Sequence, residues 1–179
     1  APRKDAETLA ARVRSVHTKL GLDDPHLLLW VHMSLVDSFV DVAQRSGLAL
    51  APQDLDQYVL EMLTFAELVG INADSVPKNM QELKAYFENI APELEASDDA
   101  KRAALFLAIP PMPTAIRFAT PAAPAWATLS ALATASLPQW ARKLYAIPAL
   151  PGHDAITNTA LTATRSTLKL LPENIFQPP

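Results

Sequence analysis

The stretch Asp23-Asp24-Pro25-His26-Leu27-Leu28-Leu29-Trp30-Val31-His32-Met33-Ser34-Leu35-Val36-Asp37-Ser38-Phe39-Val40 decides the fold class. An aspartate able to accept backbone N–H bonds at a helix N-cap precedes a proline suited to the first helical position. Apolar residues then recur until Gly47, so this is the clearest helix of the chain.

Helical spacing recurs on both sides. Upstream, Leu9, Val13, Val16, His17 and Leu20 form one stripe that is expected to face the core of a helix over about Asp5 to Leu20, which Gly21 stops. Downstream, Pro52 opens a helix that Gly70 closes, a fourth begins near Lys78 or Asn79 and runs through Ile90, and Ser97-Asp98-Asp99 caps a fifth. Ile109-Pro110-Pro111-Met112-Pro113 cannot continue a helix, and with Pro121 and Pro124 it reads as an ordered connector. An alanine-rich helix from about Pro124 to Leu137, a short one around Trp140 to Tyr145 and a last one from Asp154 to about Leu171 complete the series. No period-2 strand or Asn-Gly hairpin signal interrupts it. The expectation is an all-α fold, a single-domain helical bundle of about seven or eight helices with a proline-rich connector, spanning residues 1–179.

Composition narrows the function. With 179 residues, 50 % apolar and 19 % charged, the chain is long enough and apolar enough to bury a core. A net charge of −4 and a pI near 5.5 exclude a general phosphate-binding surface, so no nucleic-acid partner is expected. The absence of cysteine removes disulfides, thiolate nucleophiles and Cys-ligated metals and leaves His and carboxylate for any metal chemistry. No window reaches the roughly 18 uninterrupted apolar residues of a membrane-spanning helix, and a cytoplasmic location is expected, with export if a signal precedes Ala1. A mean hydropathy of +0.10 implies that some apolar surface meets a substrate, a protein partner or another copy of the chain. Sixteen prolines against four glycines act as helix punctuation, and so few glycines exclude a glycine-rich phosphate loop.

Among the four histidines, His17 and His32 sit on apolar stripes. The short joint at Gly21 to Asp24 makes the first two helices an antiparallel pair, with both histidines at comparable depth from the turn. Such a histidine is either a core residue bonded to a carbonyl or carboxylate, or a metal or cofactor ligand. Zinc spacings and paired Glu-x-x-His motifs are absent, and Ser34 and Ser38 lack a nucleophile elbow. His26 is expected to be exposed, His153 to belong to a capping turn, and Asp37 and Asp41 to lie on a solvated face.

The string from Asp24 to His32, followed by Leu35, Asp37 and Ser38, resembles the Asp-Pro…Trp-Val-His…Asp-Ser signature of the family that includes rubber oxygenase (latex clearing protein) and the MpaB-type oxygenases. Arg12-Val13-Arg14-Ser15-Val16-His17 resembles its Arg-x-x-x-x-His segment, and Tyr58 with Glu61 its Tyr-x-x-Glu helix. Leu68-Val69-Gly70 before Val76-Pro77, the prolines from Pro110 to Pro113, and Leu137-Pro138 through Arg142 to Tyr145 follow in the family's order. The resemblance covers about Arg12 to Pro148, and only Thr18 to Asp23 separate the two histidine motifs.

The resemblance implies an all-helical fold enclosing haem b, with His17 as axial iron ligand. Arg12 or Arg14 would pair with a haem propionate, unless these arginines are merely solvated, and His32 would line the pocket. It further implies an oxidoreductase or oxygenase that uses O2 on a small apolar substrate, with no catalytic side chain assigned. The competing expectation is a non-catalytic helical scaffold or binding protein of the same fold. The family's upstream helices would lie before Ala1, so residues 1–179 are expected to form the C-terminal part of a longer oxygenase-like domain, with an incomplete pocket unless those helices are supplied.

Overall fold

The computed structural model describes residues 3–148 and 151–172, which contain nine α-helices and no strand. The all-α expectation holds. Two compact units divide the chain: Ala1–Gln44 with Leu48–Pro92, and Arg45–Gly47 with Glu93–Pro179.

The first unit holds α1 (Arg3–Leu20), α2 (Pro25–Arg45), α3 (Pro52–Val69) and α4 (Met80–Ile90). Asp24 caps α2, its Oδ1 accepting from the backbone N–H groups of His26 and Leu27 at 2.8 and 3.0 Å. Asp54 reaches back to the Ala51 N–H at 3.0 Å, which sets the start of α3 behind Pro52. Gly70 ends α3 at φ 97°, a conformation that glycine adopts without a Cβ penalty. Asn79 caps α4 by accepting from Glu82 N–H at 2.9 Å.

Met33 and Val36 from α2, Val59 and Ala66 from α3, Leu83 from α4 and the connecting Ile71 and Val76 form the core of this unit. Full burial of a side chain such as Met33 or Leu83 contributes about 1.5–3 kcal/mol. α2 has the length and apolar composition of a membrane crossing. It also carries two aspartates and buries His32, Met33, Val36 and Val40 on one face, while Leu27, Val31 and Phe39 stay exposed.

Two expectations are corrected here. The α1 stripe faces the core only in part: Val13 and His17 are half-buried, Leu9, Val16 and Leu20 are exposed, and Ala10 is the residue of α1 that is buried. Periodicity identifies an apolar face but not what covers it. The closest backbone approach of α1 is to α3 and not to α2. Arg14 fixes it by donating to the Leu68 carbonyl, with its stem lying over Gly70.

The second unit holds α5 (Asp98–Ala108), α6 (Thr114–Ala119), α7 (Ala122–Ser136), α8 (Gln139–Leu144) and α9 (His153–Leu168). α6 lies inside the stretch expected to be helix-free. Pro113 stands just before its first turn, where a missing N–H costs nothing, and its carbonyl accepts from Arg117 N–H at 2.9 Å. For the same reason α7 starts at Ala122, two residues ahead of the expected Pro124. The last turn of α7 is held from three directions. The Ser136 carbonyl accepts from Arg45 Nη1 at 3.0 Å, and the Ala135 carbonyl accepts from His153 Nε2 at 2.9 Å and from Arg142 Nη1 at 3.4 Å. The two guanidinium groups, of Arg45 and Arg142, also oppose the negative end of the helix dipole.

Candidate functional site

α2 turns His32 inward beside Met33 and Val36, leaving it 2 % exposed. Its ring stacks on Phe65 of α3, with centroids 5.8 Å apart and planes at 17°. Two residues earlier in the same motif, Trp30 meets Phe87 of α4 edge-on at 5.8 Å, which fixes the rotation of α2 about its axis. Both ring nitrogens of His32 are buried without a hydrogen-bond partner. Burial pushes its pKa below 6.5, so the imidazole is neutral at pH 7. A neutral imidazole with a free lone pair is a Lewis base, suited to bind an iron or accept a proton.

Other orphaned polar atoms belong to the same unit. Ser34 Oγ and Tyr58 Oη are buried without partners, and burial raises the Tyr58 pKa. Asp37 and Asp41 do not lie on a solvated face as expected: both are half-buried. Burial, and then the charge of Asp41 one turn away, raises the Asp37 pKa. Leaving the Ser34 and Tyr58 hydroxyls unpaired costs about 1–3 kcal/mol each.

His17 is half-buried on α1, and its Nδ1 is enclosed without a partner. Arg12, five residues earlier on the same element, is exposed, whereas Arg14 spends a donor on the Leu68 carbonyl. Among the described residues no hydrogen bond or ring contact joins His17 to His32. His26 is exposed as expected, and His153 opens α9 behind Gly152, at φ 77°.

Among the described residues no three His, Asp or Glu side chains converge as a metal cage. An iron carried by a porphyrin needs no such cage, because the macrocycle supplies four donors and one protein imidazole completes the proximal side. The sequence carries no signal for Phe65, and its pattern places Asp37 on a solvated face and Ser34 outside any nucleophile elbow. The Asp37/Asp41 spacing of four residues was the available signal of like charges sharing a face.

The second unit carries an apolar groove of about 390 Å³, whose lining includes Ile109, Ala131, Thr134, Ile147 and His153. All of its lining residues fall between Ala108 and His153, so neither His17 nor His32 belongs to it.

A family model described as "ER-bound oxygenase mpaB/B'/Rubber oxygenase, catalytic domain" matches residues 1–169. No curated protein and no solved structure matches the chain.

Proposed function

From the premise that the chain belongs to the mpaB/rubber oxygenase catalytic-domain family, we propose that it is a haem b-dependent oxidoreductase or oxygenase acting on an apolar substrate. The observation that carries this reading is the pair of histidines with buried, unpartnered ring nitrogens in the first unit. Histidines of an ordinary core are hydrogen-bonded. These fit a group that brings its own iron and an apolar face, and α1 offers such a face in the exposed Leu9, Val16 and Leu20.

When bound, the haem would supply the iron at which O2 is activated. His17 would hold the group, because it stays half-buried, whereas His32 is sealed in the core against Phe65. Arg12 offers an uncommitted guanidinium to a propionate, the role for which Arg14 is less free. His32, kept neutral by burial, would line the pocket without adding charge.

The test is an absorption spectrum of the chain reconstituted with haemin. A Soret band is expected, lost in His17→Ala and kept in His32→Leu. No Soret band in the wild-type chain would overturn the proposal and leave the scaffold reading standing.

A further inference from the structure

The second unit carries an apolar projection that its own elements leave bare. Leu105, Phe106 and Leu107 are consecutive in α5 and all exposed, Leu107 by 64 %. Consecutive helical residues point about 100° apart, so these three spread over about 200° of the end of α5, wider than one packed helix face covers. Ile109 follows, exposed, and beyond the proline turn Phe118 of α6 is 80 % exposed. The indole N–H of Trp126 donates to the Leu107 carbonyl at 3.0 Å, tying this end of α5 to α7.

Two further observations say what covers it. The turn is Pro110-Pro111-Met112-Pro113, in which three of four residues have no backbone N–H. Placing that turn in a medium without hydrogen-bond partners therefore strands few donors. In addition, no acidic residue occurs between Asp99 and Asp154, although Lys101, Arg102, Arg117, Arg142 and Lys143 do, in a chain whose net charge is −4. Lys101 and Arg102 are offset by Asp98 and Asp99 one turn earlier. Arg117, beside Phe118, has no ion-pair partner among the described residues. A two-fold contact of this projection with itself would bring Arg117 against Arg117, whereas an anionic fluid surface accepts both the cation and the spread of apolar side chains.

We propose that the α5–α6 projection, led by Leu107 and Phe118 with Arg117 beside them, inserts into the interface of an anionic lipid bilayer without spanning it. This does not depend on haem binding.

The experiment is co-sedimentation of the full chain with vesicles of phosphatidylcholine, and with vesicles of phosphatidylcholine mixed with phosphatidylserine. Binding to the mixed vesicles is expected, weakening as salt is added. Leu107→Ser and Phe118→Ser should each lower the bound fraction several-fold, and the double variant about tenfold or more. Arg117→Ala should abolish the preference for the mixed vesicles while leaving weak binding to both. All these side chains are exposed, so the helical circular dichroism and melting midpoint should not move. Absence of vesicle binding by the wild type, or equal binding by the wild type and the double variant, overturns the proposal. So does a wild-type dimer on gel filtration that Leu107→Ser converts to monomer, since a second copy would then occupy the projection.

Discussion

Replacing His32 by leucine should stabilise the haem-free chain. The side chain is 2 % exposed and both its ring nitrogens are buried without partners. Each such atom costs about 1–3 kcal/mol. Leucine has a similar volume and no polar atom, and what it gives up is the stack on Phe65, about 0.5–1.5 kcal/mol. The net gain expected from those two terms is about 0.5–5.5 kcal/mol at alkaline pH, or several degrees in melting temperature for a chain of this size.

Acid should widen the gap. The folded pKa of His32 lies below its ordinary 6.5, so in the interval between the two values the unfolded chain carries a proton that the native chain does not. Native stability tied to this group is complete above about 6.5 and is lost as the pH falls, with a slope of up to about 1.4 kcal/mol per pH unit. His32→Leu lacks that slope. Urea unfolding followed by circular dichroism, across a pH series without haem, measures both effects. A variant less stable than the wild type at alkaline pH, or one with the same acid slope, would refute the reasoning.

Three other outcomes are expected. Asp37→Asn should raise stability at neutral pH by about 0.5–1.5 kcal/mol, because it removes a half-buried charge facing Asp41; the folded pKa of Asp37 is raised, so the advantage should shrink as the pH falls through it and the wild type is protonated, as acid-series melts will read. Gly70→Ala should cost about 1–2 kcal/mol in urea unfolding, since φ is 97° and the added Cβ would stand 3.1 Å from Arg14 Cδ. Asp154→Ala should cost about 1–3 kcal/mol, more than an ordinary surface pair, because Arg142 is 5 % exposed and its carboxylate partner lies 3.4 Å away; a loss no larger than that of Glu88→Ala, which breaks an exposed pair, would contradict it.

The local signals were readable in the sequence because they act within a few residues. Asp24 with Pro25, Pro52, Gly70, Asn79 and Ser97 each mark a helix end by chemistry confined to one turn, and the structure uses each as read. α6 escaped because the close-set prolines from Pro110 to Pro124 read as a connector, whereas Pro113 sits where its missing donor is not needed. The outward face of α1 escaped for another reason. A stripe of Leu9, Val16 and Leu20 has the same period whether a helix of this unit or some other apolar body covers it. Of the histidines, sequence pattern singled out His17 and His32 but not their lack of partners, since unpaired nitrogens are a property of the surrounding elements. The half-burial of Asp37 likewise depends on neighbours far along the chain.

The grip on the end of α7 has a consequence for the order of events on the ribosome. Arg45 is made early, yet its acceptors at Ser136 and Asn158 follow it by 91 and 113 residues. At about 5–20 residues per second, that guanidinium waits seconds or longer for its acceptors to emerge. The second unit is thus not a contiguous tail that can be cut free at Glu93. A fragment starting there would lack Arg45, leaving the Ser136 carbonyl without that donor, and adding a peptide that carries Arg45–Gly47 should restore part of what the cut removes.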